Sequence, residues 1–153
     1  MSAPARTRIQ LTMTIASSLD SLACMQRCSE IARDAGFDDA SIWAVGITAS
    51  ELATNIVKHA GSGSVALRLN AGPEPGLELV ARDSGTGIDD TAAALDDGFS
   101  QGRRLDSEVP PSERTGLGSG LGAVKRLMDE FDIDSSPGHG TTVRTFKHLE
   151  QAE

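Results

Sequence analysis

The chain has 153 residues, 39% of them hydrophobic and 24% charged, with a formal net charge of −8. Such a length suits one compact domain over residues 1–153 with a single hydrophobic core, and the composition is that of an ordinary soluble globular protein. The acidic balance argues against a nucleic-acid partner, which needs a basic face to displace counterions, yet leaves room for an anionic nucleotide held by a few local donors.

Met1 to Gln10 has neither the apolar centre nor the cleavage site of a secretory signal. No uninterrupted apolar run reaches the ~20 residues that cross a bilayer, so a cytoplasmic protein without a membrane partner is expected. Ile9, Leu11, Met13 and Ile15 alternate with polar residues, which predicts a half-buried strand. Ser17 and Ser18 are candidate caps for a helix that runs through Leu22, Cys28 and Ile31 and ends at Gly36. Cys24 and Cys28 stand four apart in it. That spacing places helical Cβ atoms ~5–6 Å apart rather than the ~3.8 Å of a relaxed disulfide; they read as buried thiols.

A second helix is predicted from about Asp38 to Ala60, with Ile42, Val45, Ala49, Leu52, Ile56 and Ala60 on one face. Gly61-Ser62-Gly63 stops it. Val65, Leu67 and Leu69, then Leu77, Leu79 and Ala81, alternate as two strands joined by a Gly72-Pro73-Glu74-Pro75-Gly76 turn. From Asp83 to Gly120 the chain is glycine-rich and charged, too long for a mere connection and typical of functional loops. A helix from about Ser119 to Glu130 carries Leu121, Val124, Met128 and Phe131 on one face. Strands around Phe131 to Ser135 and Thr141 to Leu149 close the pattern. Strands in adjacent pairs favour an α+β two-layer sandwich with a mixed, mostly antiparallel sheet and helices on one face.

Three features carry chemistry. Glu51, Asn55, Lys58 and His59 form a polar stripe on the second helix, roughly opposite its apolar face. On that helix alone, a solvated surface is the plainer reading, and a stripe that lines a site is the alternative. Asp83 continues the strand phase of Leu77, Leu79 and Ala81, so its carboxylate points to the core face, where it needs hydrogen-bond partners. Gly85 and Gly87 follow directly and leave room for a flat group near the backbone, although a capped turn reads equally well. Gly116 to Gly122 leads into a helix, where free N–H groups suit phosphates; a hinge is the plainer reading. No strand leads into this run, so a dinucleotide-binding βαβ unit is excluded. Gly-Lys-Ser/Thr and His-Arg-Asp are both absent.

Taken in order, these motifs resemble the ATP site of the GHKL superfamily. Glu51-Leu52-Ala53-Thr54-Asn55 through His59-Ala60 is similar to its N box, and Asp83-Ser84-Gly85-Thr86-Gly87 to its first glycine box. Gly116 to Gly122 matches the second, and Gly138-His139-Gly140-Thr141 the last. Asp97-Gly98-Phe99-Ser100 and Gly122 to Phe131 resemble the RsbT-type switch kinases of bacterial stress-response (stressosome) systems. The Lys58-His59-Ala60 ending is closer to the anti-sigma-factor serine/threonine kinases generally. One departure is the segment Gln101 to Thr115, longer and more charged than the compact lid of the switch kinases.

The resemblance implies a Bergerat-type fold, ATP or ADP with Mg²⁺ as cofactors, and phosphorylation of a STAS-domain antagonist. A PP2C-type phosphatase regulator or a sigma factor would be a further partner. It implies Glu51 as general base, Asn55 as the Mg²⁺ ligand, and Asp83 as acceptor for the adenine amino group with Thr141 assisting through water. The remaining nucleotide contacts would come from His59, Gly85, Gly87, Gly116, Leu117, Gly118, Ser119, Gly120 and Leu121. Arg103, Arg104 and Arg114 lie in the lid segment; solvated loop arginines are the commoner case, and an arginine that reaches the β- or γ-phosphate is the alternative. The competing expectation is an anti-sigma factor that sequesters a sigma factor with ATP as a switch.

Overall fold

The computed structural model describes residues 7–85, 99–100, 103–104, 120–136 and 138–150. In chain order the elements are β1 (Thr7–Ile15), α1 (Ser18–Asp34), α2 (Asp39–Ala60), β2 (Gly63–Asn70) and β3 (Gly76–Asp83). The two-residue pair β4 (Phe99–Ser100) and β5 (Arg103–Arg104) comes next, then α3 (Leu121–Leu127), β6 (Glu130–Ser135) and β7 (Thr141–His148).

Five strands form one sheet in the order β1-β2-β3-β7-β6. Every pairing in it is antiparallel, so the expected mixture of directions does not occur among the described strands. Short turns explain the β2–β3 and β6–β7 pairings. Asn70 locks the β2–β3 connection: its Oδ1 accepts from Gly72 N at 3.1 Å and its Nδ2 donates to Glu74 O at 3.0 Å.

Local chemistry sets the helix ends. Ser17 caps α1 by accepting from Asp20 N at 3.3 Å, and Asp20 Oδ2 accepts from Ala16 N at 2.9 Å, a reciprocal capping arrangement. Asp38 caps α2 by accepting from Ser41 N at 2.8 Å. Hydrogen bonds from the Ser41 backbone and side chain hold the Asp38 carboxyl below its ordinary range.

The core lies between the sheet and the two long helices. Val65, Leu67, Leu77, Leu79 and Val143 meet Val45, Ala49, Leu52 and Ile56 of α2, with Cys24, Cys28 and Ala32 of α1 beside them. Burying each leucine contributes ~1.5–3 kcal/mol. The two thiols are fully buried with Sγ atoms 4.0 Å apart, and the neighbouring Cys24 sulfur together with burial pushes the Cys28 thiol up. At 22 residues and a mean hydropathy of 1.2, α2 reaches the lower bound for a membrane-spanning helix by length and composition. Its packing against both the sheet and α1 accounts for that apolarity.

Two further expectations need correction. The β1 alternation breaks at a register shift between Ile9 and Leu11, which moves Ile9 off the core side and leaves it 62% exposed. The third helix stops at Leu127 instead of reaching Glu130, and Phe131 belongs to β6. Strand β7 captures the chain there: Asp129 N donates to Phe146 O at 2.9 Å and His148 N donates to Asp129 Oδ2 at 2.7 Å. Lys147 Nζ also takes the Leu127 carbonyl at 3.0 Å, a bond that ends the helix.

Candidate functional site

Helix α2 presents Glu51, Asn55, Lys58 and His59 along one face. The solvated-surface reading fails for its first member, because Glu51 is only 4% exposed while the other three are half-buried. One turn earlier on this face stands Thr48, fully buried, which the sequence reading passed over. Helix α3 packs against α2 with Leu121, Gly122, Ala123 and Val124 buried. Burial pushes the Lys58 amine down, and the Glu51 carboxylate opposes that shift, so the two side chains share one electrostatic environment.

Asp83 ends β3 on the side of the buried Leu77, Leu79 and Ala81, and is itself half-buried. Its Oδ1 accepts from Gly85 N at 3.0 Å. Among the described residues that is the one hydrogen bond to the carboxylate, which leaves acceptor capacity free. Gly85 presses the start of the following loop onto the end of α2: a Cβ there would stand 2.7 Å from Ala60 Cβ and 2.8 Å from His59 O. This contact brings Asp83 beside His59. Burial and the Lys58 charge push the His59 imidazole below its ordinary value, while Asp83 pulls it the other way.

The opposite wall comes from β7. Thr141 pairs with Asp83 across the sheet and is buried, its hydroxyl 2.7 Å from Ser135 Oγ on β6. Gly140 precedes it with φ +78°, and a Cβ at that position would overlap Asp83 O. Only glycine fits so close to that backbone.

The structure thus gathers Asp83, Gly85, His59, Gly140 and Thr141 at one place, with Asn55 and Glu51 following along α2. Gly120, at φ +81°, begins α3, and the Leu121 side chain goes into the core, so Leu121 has its backbone to offer a ligand. Gly87, Gly116, Leu117, Gly118 and Ser119 lie outside the described residues, as does most of Gln101 to Thr115. Ser135 was readable only through the β6–β7 register; Thr48 was readable by carrying the polar stripe back one turn.

A separate groove of about 690 Å³ runs between α1 and α2, lined by Met25, Ser29, Ile42, Trp43, Gly46 and Ile47. Trp43 sits roughly 120° around α2 from Asn55 and is 61% exposed. This groove is not part of the cluster around Asp83.

A model of the histidine kinase-like ATPase domain matches residues 15–147. The serine/threonine-protein kinase RsbT of Bacillus subtilis is 35% identical over 141 residues, which cover 92% of this chain and 97% of that protein. An anti-sigma F factor of Bacillus licheniformis is 32% identical over 68% of this chain and 67% of its own length. Among solved structures, the RsbU and RsbW domains of a Mycobacterium tuberculosis protein align with a TM-score of 0.59 at 17% identity, over 94% of this chain and 34% of that one. That last likeness shows the fold, and the chain spans about a third of the polypeptide concerned. The chain belongs to the histidine kinase-like ATPase domain family, among its ATP-using, partner-switching serine/threonine kinases and anti-sigma factors.

Proposed function

We propose that this chain, acting as a single catalytic domain in the cytoplasm, uses Mg-ATP to phosphorylate a serine or threonine of a STAS-domain protein in a stress-response pathway. The observation that carries the reading is a buried carboxylate, Glu51, in line along α2 with Asn55 and leading to the half-buried Asp83. The side chains suit the cofactors. Asn55 has a hard amide oxygen of the kind Mg²⁺ takes, and among the described residues Asp83 keeps a carboxylate oxygen to accept an amino proton.

Bound Mg-ATP supplies the phosphoryl group and the cation that offsets its developing charge. Asp83 accepts from the adenine amino group, with the Thr141 hydroxyl beside it, and so selects the base. Asn55 holds the metal. His59 and Gly85 keep the α2 terminus and the β3 end together. Gly87, the run Gly116 to Ser119, and Gly120 with Leu121 at the start of α3 supply backbone donors for the phosphates. Glu51 takes the proton of the incoming hydroxyl, a role that contributes ~10²–10⁴-fold.

The test is phosphate transfer from Mg-ATP to purified STAS-domain proteins, wild type against Glu51→Ala. Transfer by the wild type and none by the variant supports the reading. No transfer to any acceptor by the wild type refutes the kinase assignment while leaving nucleotide binding open. The anti-sigma-factor likeness favours a second reading, in which the chain sequesters a sigma factor and ATP acts as a switch. Nucleotide-dependent copurification with a sigma factor, or instead with a PP2C-type phosphatase regulator, would identify the partner.

A further inference from the structure

On the polar face of α2, the hydroxyl of Thr48 stands out. Its side chain is fully buried, and among the described residues Oγ1 has no hydrogen-bond partner. A threonine inside a helix ordinarily donates to the carbonyl four residues back. Here Ala44 O does not receive that bond. Valine would fill the same volume without an unpaired hydroxyl, so packing gives no reason for the oxygen.

Glu51 stands three residues on in the same helix, the spacing at which side chains on one helix face are neighbours. Both groups are shielded from water. We propose that Thr48 is a positioning residue for Glu51: as the carboxylate turns to the incoming hydroxyl, Thr48 donates to its other oxygen and holds that rotamer. In the step itself the hydroxyl nucleophile's proton goes to Glu51, and Thr48 keeps its own. The inference rests on Glu51 being the general base.

Its test uses the full chain with Mg-ATP and water as acceptor, and compares wild type, Thr48→Val, Thr48→Ser and Glu51→Gln. Thr48→Val is expected to lower kcat by about tenfold, with KM and the ATP Kd within about twofold and the melting temperature unchanged or higher. Thr48→Ser restores most of the rate, because the hydroxyl returns. If Thr48→Val turns over like the wild type while Glu51→Gln is slow, the Thr48 role is wrong and the Glu51 role stands. If Glu51→Gln turns over like the wild type, the Glu51 reading falls and the Thr48 inference with it.

Discussion

Asp83 and Thr141 face each other across the β3–β7 pairing, and Gly140 lies so close to the Asp83 carbonyl that no side chain fits between them. The glycine therefore sets the height of Thr141 against the carboxylate. Gly140→Ala combines a left-handed backbone with a backbone overlap. It is expected to destabilise the fold by about 1–3 kcal/mol and to weaken ATP binding in the fraction that folds. Urea unfolding together with an ATP titration checks both; a variant as stable as the wild type would show that the β7 backbone moves freely there.

Glu51 lies buried on the helix that also bears Asn55, so the two substitutions should separate. Glu51→Ala is expected to lower phosphate transfer by about 10²–10⁴-fold while leaving ATP affinity nearly unchanged. Asn55→Ala should abolish the magnesium dependence of binding. Transfer assays and titrations with and without magnesium distinguish the two patterns.

His59 gives the fold a pH dependence of predictable sign. Its ordinary value is 6.5, and in the folded chain burial and Lys58 lower it. Below that value the unfolded chain takes up a proton that the folded chain resists. The stability due to neutral His59 is therefore complete above pH 6.5 and declines as pH falls towards the folded value. Wild type should lose more stability on acidification than His59→Gln, measured by urea unfolding without nucleotide; equal losses would mean His59 is not held in its neutral form.

The two thiols should be inert in the native protein. Both are fully buried, and Cys28 is pushed towards its protonated form. Neither is expected to react with an aromatic disulfide reagent on the time scale of minutes, and both should react in denaturant. Rapid native labelling would indicate opening of α1.

The five long strands and two long helices were readable because their apolar periods are unambiguous, and the resemblance named the right family. The errors arose where tertiary contacts overrule local pattern. A bulge in β1 changed the parity of Ile9, and bonds from β7 ended α3 before Asp129 could join it. For the site, helical spacing aligned Glu51, Asn55 and His59, and strand phase aimed Asp83. Burial of Glu51 was invisible, since a stripe of polar residues reads the same whether a neighbouring element covers it or not. The cross-strand partner of Thr141 required the β6–β7 register, which a turn sequence alone does not fix. Trp43, on the same helix as Glu51, lies on another face beside α1, and its fluorescence should respond little to nucleotide.

The most direct measurement is a calorimetric titration of the chain with ATP in the presence of magnesium, repeated on Asp83→Asn. Wild type should bind with a Kd of about millimolar or tighter. Loss of a charged acceptor, worth about 1.5–3 kcal/mol, should weaken the variant roughly ten- to a hundredfold. Equal affinity in the two proteins, or no heat of binding in the wild type, would contradict adenine recognition at Asp83 and remove the basis for the kinase site built around it.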